Sequence, residues 1–397
     1  MVAADTDRDD IGMPRAPFTI AEYDARVAAV RAAMRERGLD ALVVSSPENV
    51  FYLTGLNHQG HFAFTALLLQ TEGAPLIMAR AMERHTLDAQ VPNCEQVLFA
   101  DGEEPADAVA RAISAGGLES GRIGVEKHAV SFPIHIWEGV VERTPQVSWE
   151  DRSRLVDGLR AVKSPTEIEY IRRAAAISDH AMRSGISVVG EGVNEQEVAA
   201  EVYRSMLASG SEYPGFAPLI RTTDLLLHEH RTWEDRVLQA GDGLFLELSG
   251  CVNRYHAPLT RMVHIGEVPD GVAAVAEIVL GSLEAIRGAL HPGALAGEVY
   301  AAWQKVIDEA LGHHDYRRHH CGYMVDIGFP PSWSGSGVVK GLRAGSEMEI
   351  REGMVFHLLP WLIGAGPADY VASDTVLVTD AGPEFLTTTP RTPAAVE

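Results

Sequence analysis

Lys163-Ser164-Pro165-Thr166-Glu167-Ile168-Glu169 decides how this chain is organised. Ser164 suits a helix N-cap, Pro165 suits the first helical position, and Glu167 stands at N3 ahead of an apolar-periodic run. The stretch predicts a long helix over 165–187 that opens a second domain, with a junction just before it near 157–163. Working back towards the N-terminus, strand candidates at 41–46, 66–70, 76–79 and 122–126 alternate with amphipathic helices at 106–115 and 132–143, an α/β pattern over 16–158. Residues 51–55 read as a strand or a short helix. Order should begin at Thr19 and Glu22, which have capping-box spacing before Tyr23, Val27, Val30 and Met34. Working forward over 159–390, further helices are expected at 194–209, 268–289 and 294–311, and strands at 243–248, 262–265, 354–359 and 375–378. Residues 1–15 are expected to be a flexible tail, and those after Thr387 to be surface-bound or frayed.

Composition narrows the function classes. The 397 residues are 46% hydrophobic and 22% charged, which excludes a disordered chain, and the length suits two domains. The net charge of −22 leaves no basic face for nucleic acid or for an anionic membrane surface. Apolar runs such as 66–70 and 225–227 fall far short of the ~20 residues a membrane span needs. Residues 1–10 are acidic where a signal peptide would be basic. Cys94, Cys251 and Cys321 have no close partner in sequence, so a thiolate metal site is not expected and a cytoplasmic location is.

Five segments, in order, carry a family likeness: the 163–169 stretch; His230 followed by Gly241-Asp242; Tyr255 to Arg261; Gly353-Met354-Val355-Phe356; and Asp374 to Thr379. Their order and spacing over about 160–385 resemble the pita-bread superfamily of methionine aminopeptidase, aminopeptidase P, prolidase and creatinase. The resemblance implies a two-domain creatinase-like α/β (α+β) architecture, with a curved antiparallel sheet flanked by helices in the C-terminal domain. Metallopeptidases of this superfamily hold two divalent metals with two Asp, one His and two Glu. The corresponding positions here are Glu247, Pro258, Tyr323, Leu359 and Ser373. Proline and leucine offer no side-chain donor, and lone Tyr and Ser oxygens do not replace charged ligands for hard dications, so no metal and no other cofactor is expected. His228 and His230 alternate as they would on one strand face, and His313, His314, His319 and His320 add nitrogen. Adjacent histidines point apart on extended chain, however, and solvated histidines are the plainer reading.

A closer resemblance is to ectoine hydrolases, metal-independent members that open a cyclic amidine. It rests on Trp233 close after His230, Phe245 to Cys251, Arg254 to Leu259, Gly322-Tyr323, Phe329 to Trp333, and Phe356-His357. Asp326 departs from it, standing where those enzymes commonly have glycine. Creatinase, which also works without metal, uses a histidine at the position of His230.

The chemistry follows from residue types. Glu247 lies in the apolar run Leu244-Phe245-Leu246 before and Leu248 after, where a carboxylate is costly unless it is partnered or used. It is tied to backbone amides or Arg261, or it is catalytic: the resemblance suggests a nucleophile at the amidine carbon, with a general base on water as the alternative. His230 is the acid–base candidate, oriented by Glu229 or Asp235. Tyr255, His256, Tyr323 and His357 are candidates for binding a small polar substrate, with Trp233, Trp333 and Trp361 walling the pocket. A homodimer is expected from the resemblance, with Phe62 of the first domain reaching the site of a second copy. The expected substrate is a small zwitterionic or cationic amidine. The competing readings are a creatinase-like amidinohydrolase, an Xaa-Pro metallopeptidase and a binding protein without activity.

Overall fold

The helix at 165–187 forms for the reason its sequence gives. The Ser164 hydroxyl accepts the Glu167 N–H at 3.3 Å, and the Glu167 carboxylate accepts the Ser164 N–H at 2.8 Å. This reciprocal cap satisfies two donors that a helix start otherwise leaves open. The computed structural model describes residues 16–335 and 339–397, so the tail expected over 1–15 lies outside the described residues. The chain divides after Arg160 into two compact units.

The first unit runs α1 (Ile20–Glu36), β1 (Ala41–Val44), α2 (Pro47–Thr54), β2 (Ala66–Gln70), β3 (Leu76–Arg80), α3 (Arg84–Gln90), β4 (Glu95–Phe99), α4 (Pro105–Ala115), β5 (Arg122–Val125), α5 (Ile134–Arg143), β6 (Ser148–Asp151) and α6 (Leu155–Arg160). Its six strands form one mixed sheet in the order β4-β3-β2-β1-β5-β6. Val43, Leu68, Met78 and Val125 pack with Val109, Ala112 and Val140 of α4 and α5 in one buried cluster.

The second unit runs α7 (Pro165–Ser187), α8 (Glu195–Ala208), β7 (Leu219–Thr222), β8 (Gly243–Val252), β9 (Tyr255–Ile265), α9 (Val272–Ala289), α10 (Ala296–Leu311), β10 (Gly322–Met324), β11 (Val355–Leu358), β12 (Asp374–Thr379), β13 (Gly382–Phe385) and β14 (Ala394–Val396). Two four-stranded sheets result, β14-β9-β8-β7 and β10-β11-β12-β13. A bridge between Thr260 and Ser373 joins them. The long β8–β9 hairpin turns on Asn253 and Arg254, both at positive φ, as a two-residue turn matching strand twist requires. Arg254 offsets that strain by donating to the carbonyls of Gly328 at 2.6 Å and Tyr213 at 2.7 Å.

One glycine shows which face of β8 meets a helix. A Cβ on Gly250 would lie 2.6 Å from the Ala174 carbonyl oxygen of α7. Side chains alternate across a strand, so Leu248 and Gly250 face α7 and Glu247 faces the other way. The antiparallel register carries this to β9, where Gly250 opposes Ala257 and Glu247 opposes Thr260. Of the two readings of the C-terminal segment, surface-bound or frayed, the frayed one fails. The segment after Thr387 is anchored, since Asp179 accepts from Thr388 and Thr389, and β14 then runs parallel to β9. His228 and His230 are exposed and lie outside any strand, which agrees with the solvated reading of these histidines.

Candidate active site

Glu247 is 4% exposed on the β8 face that turns away from α7. Burial pushes its carboxyl up to about 8, the nearby charge of Arg221 pulls it down, and Glu229 raises it further. Arg261, the alternative partner for Glu247, pairs instead with Asp374 at 2.8 Å. Facing Glu247 is a chain of neutral hydrogen bonds. Trp333 Nε1–H donates to the Tyr323 oxygen at 2.8 Å, and that oxygen lies 3.0 Å from His357 Nδ1. His357 Nε2 lies 2.6 Å from Ser373 Oγ, which donates to Thr260 Oγ1 at 2.7 Å. With Ser373 donating onward, its oxygen accepts from Nε2–H, which leaves Nδ1 to accept the Tyr323 hydroxyl proton. His357 Nδ1 is 3.9 Å from Glu247 Oε1.

Burial holds this chain neutral. The His357 imidazolium is strongly disfavoured by desolvation, then by His320 and Arg261. Desolvation and then the Glu247 charge raise the Tyr323 phenol well above its usual range. His320, edge-on to Tyr323, is pushed down to about 3, first by burial and then by His319. The rings of His319 and His320 meet at 4.1 Å, against the expectation that neighbours point apart.

The structure therefore brings together Glu247, Tyr323 and His357, along with Trp333, Ser373 and Thr260. Tyr255 is a correction: on the α7 face of β9, its hydroxyl donates to Glu167 at 2.7 Å. Its place in the hairpin register, which sequence spacing does not reveal, turns it away from Glu247. His256 shares the face of Glu247, and its Nε2 accepts the Gly215 N–H at 2.8 Å, anchoring the loop that carries Phe216. Trp233 is also a correction, packing edge-on against Tyr203 of α8 at 5.8 Å because its loop runs back along that helix. His230 is exposed and stacks on Phe216, whose edge meets Trp333 at 4.8 Å. It thus stands at the outer end of an aromatic row that leads inward to Tyr323. Glu229 pairs with Arg318 at 2.9 Å and Asp235 with Asn194 at 2.8 Å, so both side chains are engaged elsewhere. Asp326 is buried 3.3 Å from Lys163 Nζ, an ion pair that explains an acid in that turn without a role at the site. Phe62 is 83% exposed in the first unit, beside Arg80. Sequence reasoning missed Arg221, Arg318 and Thr260; Arg221 alone had a visible signal, a charge inside the apolar run from Leu219.

Residues 169–380 match the model of metallopeptidase family M24, and residues 26–162 that of the creatinase/prolidase N-terminal domain. The chain belongs to family M24. This M24 hydrolase is similar to the ectoine hydrolase of Halomonas elongata, at 29% identity over 94% of this chain and 97% of that one. In fold it is similar to a prolidase from Thermococcus sibiricus, with a TM-score of 0.84 and 23% identity over 94% of this chain and 99% of the other. A dipeptidase, PepE, from Mycobacterium ulcerans gives a TM-score of 0.81 at 25% identity over 96% and 99%. The M24 name implies a metal, and the donor set at the site does not fit one. One carboxyl, Glu247, faces a phenol, a hydroxyl and an imidazole whose two nitrogens are both engaged. Among the described residues, no group of three or more His, Cys, Asp or Glu side chains could hold a metal ion. No described helix is long and apolar enough to cross a membrane.

Proposed function

We propose that this M24 hydrolase acts without metal on a non-peptide C–N bond, opening the cyclic amidine ring of ectoine to an N-acetyl-2,4-diaminobutyrate. The observation that carries this reading is the pairing of one buried carboxyl, Glu247, with neutral donors at positions where a dimetal site needs charged ligands. An amidinium about 4 Å from an ionised Glu247 gains about 4 kcal/mol at an effective dielectric of ~20. Two dications in the same place would repel it. Likeness to an ectoine hydrolase along nearly the whole chain agrees with this substrate class.

Binding of the amidinium releases the Glu247 proton to solvent, and the carboxylate attacks the amidinium carbon, while the C=N pair moves to nitrogen. The ring C–N bond breaks as the leaving nitrogen takes a proton from the Tyr323–His357 pair and the lone pair of the other nitrogen forms C=N, leaving an N-protonated O-acyl imidate on Glu247. Water attacks the imidate carbon, returns one proton to Tyr323–His357 and gives the other to the product amine. The Glu247 carboxylate then leaves, and the net reaction consumes one water. His230, expected to be the acid, is exposed and stacks on Phe216, so in this scheme it borders the aromatic row and moves no proton. His256 serves substrate binding by holding the Phe216 loop.

The proposal extends to a cytoplasmic homodimer in which Phe62 reaches a partner's site. Three free cysteines suit a reducing compartment, and a phenylalanine left 83% exposed suits a protein contact. Chelator-treated protein incubated with ectoine, creatine and an Xaa-Pro dipeptide, with products separated by mass spectrometry, tests the function. Ectoine alone should be consumed, and Glu247→Gln should slow it at least ~1,000-fold. Turnover of creatine or the dipeptide in place of ectoine refutes the assignment.

A further inference from the structure

Arg221 is a buried charge that makes no ion pair within 4 Å among the described residues, although the Glu247 and Glu229 carboxyls act on it from farther away. It has no solvent exposure, and its guanidinium lies 3.8 Å above the Phe245 ring. Nη2 makes one long contact, 3.3 Å to the Leu226 carbonyl, while Nε and Nη1 are buried without a hydrogen-bond partner. Unmade bonds on a buried cation are expensive, and natural cores rarely keep them unless a ligand, an ion or a buried water supplies the acceptor. The strand register locates that acceptor. Leu219 of β7 opposes Glu247, and Arg221 opposes Phe245, so Arg221 and Glu247 share a face as diagonal neighbours, ~7–8 Å apart along the backbone. Arg318 flanks the same region: its guanidinium lies 5.1 Å over Trp361, which meets Phe245 edge-on, and its Nε is also buried and unpartnered.

Resting on the function proposed above, we propose that Arg221 is the carboxylate-recognition residue of this site, receiving the acid group of a small zwitterion whose cationic end lies against Glu247. Nη2 belongs to both two-donor edges of a guanidinium, so once its long contact is released either edge offers the planar pair that a carboxylate accepts. Charge balance points the same way. The site places a cationic Arg221 on the same sheet face as the Glu247 carboxyl. A zwitterion pairs both groups at once. A simple cation pairs only Glu247 and is repelled by Arg221. The device therefore selects amidines that carry a nearby carboxylate and rejects the same ring without one.

The test compares ectoine with the same methyl tetrahydropyrimidine ring lacking its carboxylate, on wild type, Arg221→Met and Arg221→Lys. Wild type should prefer ectoine at least ~100-fold in kcat/KM. Arg221→Met, which keeps the packing volume over Phe245, should collapse that ratio to within ~3-fold of unity, mainly through KM, and Arg221→Lys should restore part of it. Equal losses on both rings in a variant with native circular dichroism would show a structural role and overturn the proposal. If wild type turns over neither ring, calorimetry with proline and with pyrrolidine separates the two readings. A wild-type preference for proline that Arg221→Met abolishes upholds carboxylate recognition while the ectoine assignment fails. No preference in either pair of probes overturns it.

Discussion

Glu247 keeps its proton at neutral pH because burial removes the water that would solvate its charge, and two predictions follow at this scale. The first concerns rate. If the carboxylate is the nucleophile, kcat/KM should rise about tenfold per pH unit below pH 8 and level off above it, since that parameter reports groups of the free enzyme. A flat profile from pH 6 to 9 would remove the nucleophile role. The second concerns stability. A carboxyl whose folded value is raised to about 8 binds a proton that the unfolded chain has lost, so its stabilising share is complete below the unfolded value, near 4.5, and drains away as pH rises to about 8. At ~1.4 kcal/mol per unit, the loss amounts to several kcal/mol. Glu247→Gln should therefore raise Tm at pH 8.5 more than at pH 5, while abolishing turnover. Thermal denaturation of both proteins across this range checks the sign. At the residue scale the sequence was legible where one charge interrupts an apolar run, which singled out Glu247. It could not separate Tyr323, beside His357, from Tyr255, bonded to Glu167, because both are tyrosines in strands and only register assigns their faces.

The elements divide by length and by punctuation. The α7 start was legible because Ser164, Pro165 and Glu167 act locally, and a helix cap needs nothing from the rest of the fold. Strands β10 and β14, each of three residues, carry too little periodicity to be read, and Pro383 obscures β13. Sequence leaves the C-terminal segment open between surface-bound and frayed because its anchor lies far away in the chain. Asp179 of α7 accepts the Thr388 N–H at 2.8 Å and the Thr389 N–H at 2.8 Å, together with both hydroxyls. Burial acts to raise the Asp179 carboxyl, but these hydrogen bonds outweigh it and hold it below its ordinary value. Asp179→Ala should cost about 3 kcal/mol, since it strips a charged acceptor from the buried N–H and hydroxyl of Thr389 and from the partly buried pair on Thr388. Its sign with pH is opposite to that of Glu247: the contribution is present above the unfolded carboxyl value and lost as pH falls through the lower, folded one. Wild type and variant should thus differ in Tm at pH 7 and converge in acid. Limited proteolysis should cut the variant first near Thr388, and an unchanged digestion pattern would refute the anchoring role.

At the scale of the whole molecule, the surplus of 22 negative charges meets a site that uses one carboxylate, so most of the acidity is surface. Such a surface attracts cations over roughly a Debye length, ~10 Å at 0.1 M salt, and barely acts on a zwitterion. That difference makes ionic strength a probe of what the site binds. For ectoine, whose net charge is zero, raising salt from about 0.05 to 0.5 M should change kcat/KM less than ~2-fold. For the same ring without its carboxylate, a net cation, kcat/KM should fall several-fold as the attraction is screened. A catalytic dication would invert the second trend, because a cation approaching a metal gains when repulsion is screened. It would also make activity sensitive to chelator and restorable by manganese or zinc. Salt titrations on chelator-treated protein, with and without added manganese, therefore separate the two accounts of an M24 site. A fall in rate for the cation that manganese leaves unaltered supports Glu247 acting alone, whereas a manganese-dependent rise with salt would return this chain to the metallopeptidases whose fold it shares.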